Sequence, residues 1–229
     1  MKTLGVICIN HGRPNVLRLW CAQITRLRRE TQTHLPAVVV SDGDEAICHK
    51  HGVWHIEHPN VKTEVSLKWN RAMAYMKSLG IDAVMITGSD DILSTQYYLK
   101  TWDEVQKGID LIGTESAYFF CGQGTDRGKL VRLDGRAMLG IGKTVSKRIL
   151  DDANWTLWTK PKGWGMDAMA QQEIMKHTPS KAIISDIIVD VKTRENLNSF
   201  NVFKRRPEVD ANLFYDILSK EELTILKSL

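Results

Sequence analysis

Two carboxylates, Asp90 and Asp91, stand side by side just past the apolar run Ala83-Val84-Met85-Ile86-Thr87, after Gly88 and Ser89. Such a run fits a buried strand, and in open α/β sheets ligands gather just beyond the carboxyl ends of the strands. Adjacent carboxylates repel unless a cation lies between them, and oxygen-rich sites suit Mg²⁺ or Mn²⁺, ions that commonly handle phosphate. The plainer reading is a turn: Asp-Asp reverses the chain, Ser94 opens the next helix, and Asp91 adds charge near its start.

A second group is Lys162-Gly163-Trp164-Gly165-Met166-Asp167. Glycines on both sides of an indole let a backbone approach a ligand, with Trp164 as a flat wall and Gly165 beside it on the acceptor side. Asp167 falls at an expected helix start, where the helix dipole favours a carboxylate able to take a hydroxyl proton. The alternative is an Asp that only stabilises its helix, with Trp164 in the core. A third candidate is Cys48-His49-Lys50-His51 with His55 and His58, where Cys48-x₂-His51 and His55-x₂-His58 could together supply zinc ligands. The plainer reading is a histidine-rich helix end, turn and strand, since His55 and His58 do not share a strand face. The polar segment 190–198 follows a strand and offers Lys192 or Arg194 as a clamp for phosphates, or is simply a surface loop.

These residues need elements to position them. Leu4–Ile9 reads as a strand broken at His11-Gly12-Arg13-Pro14, followed by a helix with Leu17, Trp20, Ile24 and Leu27 at helical spacing. Strands are expected at 37–40 and 53–57, a short helix at 45–50, and an amphipathic helix over 66–79 closed by Gly80. This alternation predicts a parallel sheet with helices on both faces. The second half is less regular, with strands expected at 111–113 and 117–120. A further strand is expected over 136–141 leading into a helix at Ser146, then a helix over 167–177 and a strand within 181–191. Ser219-x-x-Glu222 is a capping box for a last helix.

The chain has 229 residues, 43% hydrophobic and 25% charged, with a net charge of +4, an ordinary balance for a globular protein with a sizeable core. The four cysteines are dispersed, which predicts reduced thiols. No basic-then-apolar leader opens the sequence and no apolar stretch approaches the about 18 residues of a membrane span, so a cytoplasmic location is expected. Basic clusters at Arg26-Arg28-Arg29, Lys143-Lys147-Arg148 and Lys204-Arg205-Arg206 read first as solvated faces and second as a surface for a polyanion.

The order Ser41-Asp42-Gly43-Asp44, Lys68-Trp69-Asn70-Arg71, Ser89-Asp90-Asp91 and Gly163-Trp164-Gly165-Met166-Asp167 resembles the GT-A fold glycosyltransferases of family 2, over residues 1–195. The resemblance implies a single α/β, Rossmann-like domain over 1–229, with a mostly parallel central sheet flanked by helices. Residues 1–100 would form the nucleotide-sugar-binding half, 101–195 the acceptor and catalytic half, and 196–229 an extension. It further implies Asp42 at the nucleobase, Asp90 at the ribose, Asp91 on Mn²⁺ or Mg²⁺, and Asp167 as the base of an inverting, hexosyltransferase-type reaction. Asn10, Arg13, Lys68 and Arg71 complete the expected donor side. Three positions depart from the family pattern: Ser89 stands where a further Asp is common, Met166 where an acid is common, and Lys68-Trp69-Asn70 where Ala-Arg-Asn is usual. The expected donor is a UDP-sugar. The acceptor is a glycan or small hydroxyl compound, with a hydroxymethylated DNA base, flipped into the cleft, as the alternative. A non-catalytic nucleotide-sugar-binding protein and a sugar nucleotidyltransferase are the rival functions.

Overall fold

The computed structural model describes all residues except 62, 63, 163, 164, 197 and 198. The first half alternates as the sequence predicts: β1 (Leu4–Ile9), α1 (Pro14–Thr31), β2 (Ala37–Ser41), α2 (Glu45–Lys50), β3 (Trp54–Glu57), α3 (Val65–Ser78) and β4 (Ala83–Gly88). Pro14 at the first turn starts α1, because its missing N–H has no partner there, and left-handed Gln32 ends it. β5 (Asp91–Leu93), α4 (Thr95–Lys107), β6 (Leu111–Gly113), β7 (Ser116–Cys121), β8 (Leu130–Asp134), β9 (Lys143–Ser146), α5 (Lys147–Asp152) and α6 (Met166–Met175) follow. The chain continues through β10 (Lys181–Ile183), β11 (Ile188–Lys192), a 3₁₀ turn at Phe200–Val202, β12 (Glu208–Val209), α7 (Asn212–Tyr215) and α8 (Lys220–Ser228).

Seven strands form the main sheet in the order β10-β6-β9-β4-β1-β2-β3. β3, β2, β1 and β4 are mutually parallel, and β9 runs antiparallel between β4 and β6. Alternate residues divide the core in two. Val6, Cys8 and Met85 pack with Leu17 and Trp20 of α1 and Tyr97 of α4, whereas Ile7, Val84 and Ile86 pack with Met73 of α3, Ile149 of α5 and Ile174 of α6. Burial on both faces is why these strands read as continuous apolar runs.

A second sheet, ordered β12-β8-β7-β11-β5, has five strands, and α7 and α8 cover it with Phe214 and Leu226. The expected strand at 136–141 is instead irregular, and pairing resumes only at Lys143. Gly140 and Gly142 explain the shift, since Gly142 is left-handed at φ 66° and both interrupt a ladder. The single strand expected within 181–191 is two strands in different sheets, separated where Asp186 accepts hydrogen bonds from Ser94 Oγ and from the Ile187 amide.

Candidate functional site

β4 ends at Gly88, and the turn Ser89-Asp90 passes directly into β5 at Asp91. The turn is tight: the Gly88 amide donates to Asp91 Oδ2 at 2.6 Å, and a Cβ on Gly88 would lie 2.6 Å from Asp90 Oδ1. Antiparallel pairing of β5 with β11 sets Asp190 opposite Asp91. One oxygen from each of Asp90, Asp91 and Asp190 lies within 4.8 Å of the others. Among the described residues, this is the one group of three or more His, Cys, Asp or Glu side chains close enough to share an ion.

Two cations border the acids. Arg13 Nη1 donates to Asp90 Oδ2 at 3.0 Å and Nη2 to Ser89 Oγ at 2.9 Å. Lys192 Nζ donates to Asp190 Oδ2 at 2.5 Å, approaches Asp90 Oδ2 at 4.0 Å, and sits 5.5 Å over the Phe119 and Phe203 rings. Asn196 Nδ2 donates to Asp90 Oδ2 at 2.5 Å. Burial pushes the Asp90 carboxyl up, but Arg13 and Lys192 beside it prevail and hold it below the usual range. Among the described residues Asp91 has no ion pair of this kind. Burial, then Asp90 and Asp190, push it well above the carboxylate range, and burial with Asp90 pushes Asp190 up to about 7. Asp190 Oδ1 is buried with no hydrogen-bond partner among the described residues. A buried acceptor without a donor, among oxygens that repel one another, fits a hard divalent cation.

The residues expected on the donor side form a hydrogen-bonded chain leading away from this cluster. Ser89 Oγ donates to Asn10 Oδ1 at 3.0 Å, and Asn10 Nδ2 donates to Asp44 Oδ2 at 2.8 Å. Lys68 Nζ, fully buried, donates to the Asn10 carbonyl at 2.9 Å and to Asn60 Oδ1 at 2.6 Å. Burial lowers the Lys68 pKa against the opposing fields of Asp42, Asp44 and Glu57. Asp42 itself is exposed after β2, whereas Asp44 is the buried partner of Asn10. Arg71 does not join the chain; it lies on the exposed side of α3 and donates to the Glu57 carbonyl at 3.1 Å.

α3 also holds the tryptophan-rich loop that leads to α6. Trp69 stacks on Trp158 at 5.5 Å, Asn70 Nδ2 donates to the Trp158 carbonyl at 2.8 Å, and Ser66 exchanges hydrogen bonds with the Lys162 backbone. Trp164 and Gly163 lie outside the described residues. Gly165 is left-handed at φ 69° and precedes α6. The Asp167 carboxylate lies directly on Gly140, where a Cβ would come within 2.2 Å of it.

Several sequence readings change. Lys192 is buried against Asp190, while Arg194 is exposed with its amide on Gln123 Oε1 at 3.1 Å. In the histidine-rich stretch, Cys48 is in the core, His51 contacts Thr25 Oγ1, and His55 contacts Ser41 Oγ. Two basic clusters are largely engaged internally. Arg26 is buried on Glu222, Arg28 caps the Leu35 carbonyl, and Arg148 binds Asp110. Asp190, Asn196 and Asp44 join the site without a role predicted for them from sequence. An acid inside the apolar stretch Ile187–Val191 was the available signal for Asp190.

No protein-family model matches the chain, and a search of curated proteins gives no match. Solved structures do resemble it. S. aureus TarS 1–349 superposes with a TM-score of 0.65 at 15% identity, covering 83% of this chain and 60% of that one. The mannosyltransferase PcManGT from Pyrobaculum calidifontis, in complex with GDP-Man and Mn²⁺, gives 0.56 at 10% identity, covering 98% and 73%. The 4-diphosphocytidyl-2C-methyl-D-erythritol synthase from Anaerococcus prevotii gives 0.50 at 9% identity, covering 93% and 94%. This chain therefore spans about three fifths of the TarS structure that it matches. Among the described residues no helix is long and apolar enough to cross a membrane. At these identities the likeness shows the fold alone: a mostly parallel α/β sheet of the GT-A kind.

Proposed function

We propose that this chain is a metal-dependent inverting glycosyltransferase that moves a sugar from a nucleotide-sugar donor, a UDP-sugar in the first instance, to a hydroxyl acceptor. One observation carries the reading: three carboxylates meet at the end of β4, with Arg13 bonded to the same turn. A divalent ion (Mn²⁺ or Mg²⁺) held by Asp91 with Asp90 and Asp190 would supply Lewis-acid stabilisation for a departing diphosphate. On this reading 1–100 binds the nucleotide-sugar, 101–195 carries the acceptor side, and 196–229 extends one domain.

The chain's own groups have distinct tasks. Arg13 places a fixed cation where negative charge develops, so little reorganisation is needed during reaction. Asn10, Asp44 and Lys68 shape the floor of the nucleotide side, with exposed Asp42 available to the nucleobase. Asp167 takes the proton of the acceptor hydroxyl, and attack opposite the leaving group inverts the anomeric centre. Internal engagement of most arginines in two basic clusters favours a small hydroxyl compound or glycan over a DNA base.

The test is a thermal-shift screen of nucleoside diphosphates and their sugars with and without Mn²⁺, on wild type and Asp91→Ala, followed by the anomeric configuration of any product. A Mn²⁺-dependent shift for one sugar nucleotide, lost in the variant, supports the donor site, and an inverted product supports the mechanism. Binding without turnover on any acceptor would leave a nucleotide-sugar-binding protein. Pyrophosphate release from a nucleoside triphosphate would instead make it a nucleotidyltransferase, a class that the A. prevotii likeness keeps in view.

A further inference from the structure

Lys143 is a buried ammonium that the proposed reaction does not use directly. It opens β9, pairs with Ile86 of β4 two residues before Gly88, and is 3% exposed. A lysine is seldom placed so deep without a partner, since an unpaired buried charge is strongly destabilising. Its Nζ donates to Gln171 Oε1 at 2.7 Å. Gln171 is one helical turn beyond Asp167, so the two side chains share a face of α6. The segment preceding Lys143 is shaped to the same end, because Gly140 leaves the room that the Asp167 carboxylate fills.

We propose that Lys143 is a positioning residue for Asp167. Its ammonium grips α6 through Gln171, and its charge, directed at the head of that helix, keeps the Asp167 carboxylate seated on Gly140. The inference rests on the reading of Asp167 as the base. The register partner of Lys143 on β4, Ile86, is apolar, and Asp167 is the charged side chain whose field opposes the lowering of Lys143 by burial. Lys143 thereby joins β4, which carries the acidic cluster, to α6, which carries the base.

Two measurements test this. In protein labelled with ¹⁵N-lysine, the Lys143 Nζ resonance is assigned by its loss in Lys143→Arg, and its titration midpoint is followed in wild type and in Asp167→Asn. Removing Asp167 should move the midpoint down, because burial then acts unopposed; an unchanged midpoint overturns the proposal whether or not an activity has been found. With an active donor and acceptor pair, Lys143→Met should lower kcat at least tenfold with the donor KM unchanged, and Lys143→Arg should restore most of it. A Lys143→Met enzyme with wild-type kcat, or a loss confined to KM, also overturns it. Absence of any transferase activity in wild type would count against the functional reading, while the resonance measurement would still decide the contact.

Discussion

Asp91 and Asp190 are register partners across antiparallel β5 and β11. Like charges directly opposite each other destabilise a sheet, so in the metal-free protein this pairing opposes folding. Asp91→Asn should therefore stabilise the metal-free protein by about 0.5–1 kcal/mol while abolishing its response to Mn²⁺. The sign follows from linkage. A carboxyl raised in the folded state costs nothing below its unfolded value of about 3.9 and progressively more as pH climbs towards its folded value. The gain in Asp91→Asn should accordingly grow from pH 4 upward in urea titrations, and a variant no more stable at pH 8 than wild type would refute the repulsion.

The same protons govern metal affinity. With Asp91 pushed well up and Asp190 at about 7, a cation entering the cluster must displace protons. Mn²⁺ affinity should fall as pH drops below 7, by up to about tenfold per pH unit for each proton displaced. Calorimetry in buffers of different ionisation enthalpy should register that proton release, and an affinity constant from pH 5.5 to 8 would contradict it.

The first half of the fold was legible because its strands are apolar runs bounded by Gly, Pro and Asp, and because Leu17, Trp20, Ile24 and Leu27 keep helical spacing. The cap at Ser94 and the capping box at Ser219 were also readable, since each needs only local chemistry. Other features depend on contacts distant in sequence. Asp190 meets Asp91 only because β11 joins a second sheet, which no local pattern announces. Arg26 looked like part of a solvated basic face, yet it is 2% exposed and bound to a residue 196 positions away. Asp42 and Asp44 are equivalent as letters, and only the fold distinguishes the exposed acid from the buried partner of Asn10.

Arg26 and Glu222 anchor α8 to α1. Arg26 Nε donates to Glu222 Oε2 at 2.8 Å, Nη1 to Thr95 Oγ1 at 2.8 Å and Nη2 to the Leu93 carbonyl at 2.7 Å. Glu222 also receives the Ser219 amide at 2.7 Å. Breaking a buried pair strands a charge, so Glu222→Ala should cost about 3–5 kcal/mol, and Arg26→Met with Glu222→Leu together should cost markedly less than the single change. Urea unfolding of the single and double variants measures both. Equal losses would mean that capping and packing, and not the stranded arginine, set the penalty.

Asp110 joins the ends of three strands. It accepts from Arg148 Nη2 at 2.7 Å, from Ser146 Oγ at 2.8 Å, and from the Ser180 hydroxyl and amide at 2.8 and 3.0 Å. The Arg148 guanidinium above all, with Ser180 and Ser146, outweighs burial and holds the carboxyl well below its usual range. A depressed carboxyl stabilises the fold above its unfolded value of about 3.9, and that contribution is lost as pH falls towards the folded value. Asp110→Asn should thus be less stable by about 1–3 kcal/mol at pH 6. The gap to wild type should close as pH falls below about 4, where the carboxyl of the wild-type unfolded chain becomes protonated. Urea titrations at pH 3, 4 and 6 check the trend, and a gap independent of pH would assign the loss to packing.

Substitution of Asp167 tests the proposed chemistry apart from binding. It is exposed at the first turn of α6, and the metal-ligand candidates lie instead on β4, β5 and β11. If it is the base, Asp167→Asn removes proton acceptance but leaves the donor contacts and the carboxylate cluster intact. Turnover should fall about 10²–10⁴-fold, with the Mn²⁺-dependent thermal shift and the donor KM unchanged. If Asp167 only stabilises its helix, the change should lower stability and leave kcat near wild type, because Asn keeps the shape and loses the interactions of the charge with the helix dipole and with Lys143. The two outcomes differ in which quantity moves, so kcat and urea stability measured on one preparation decide between a base and a cap.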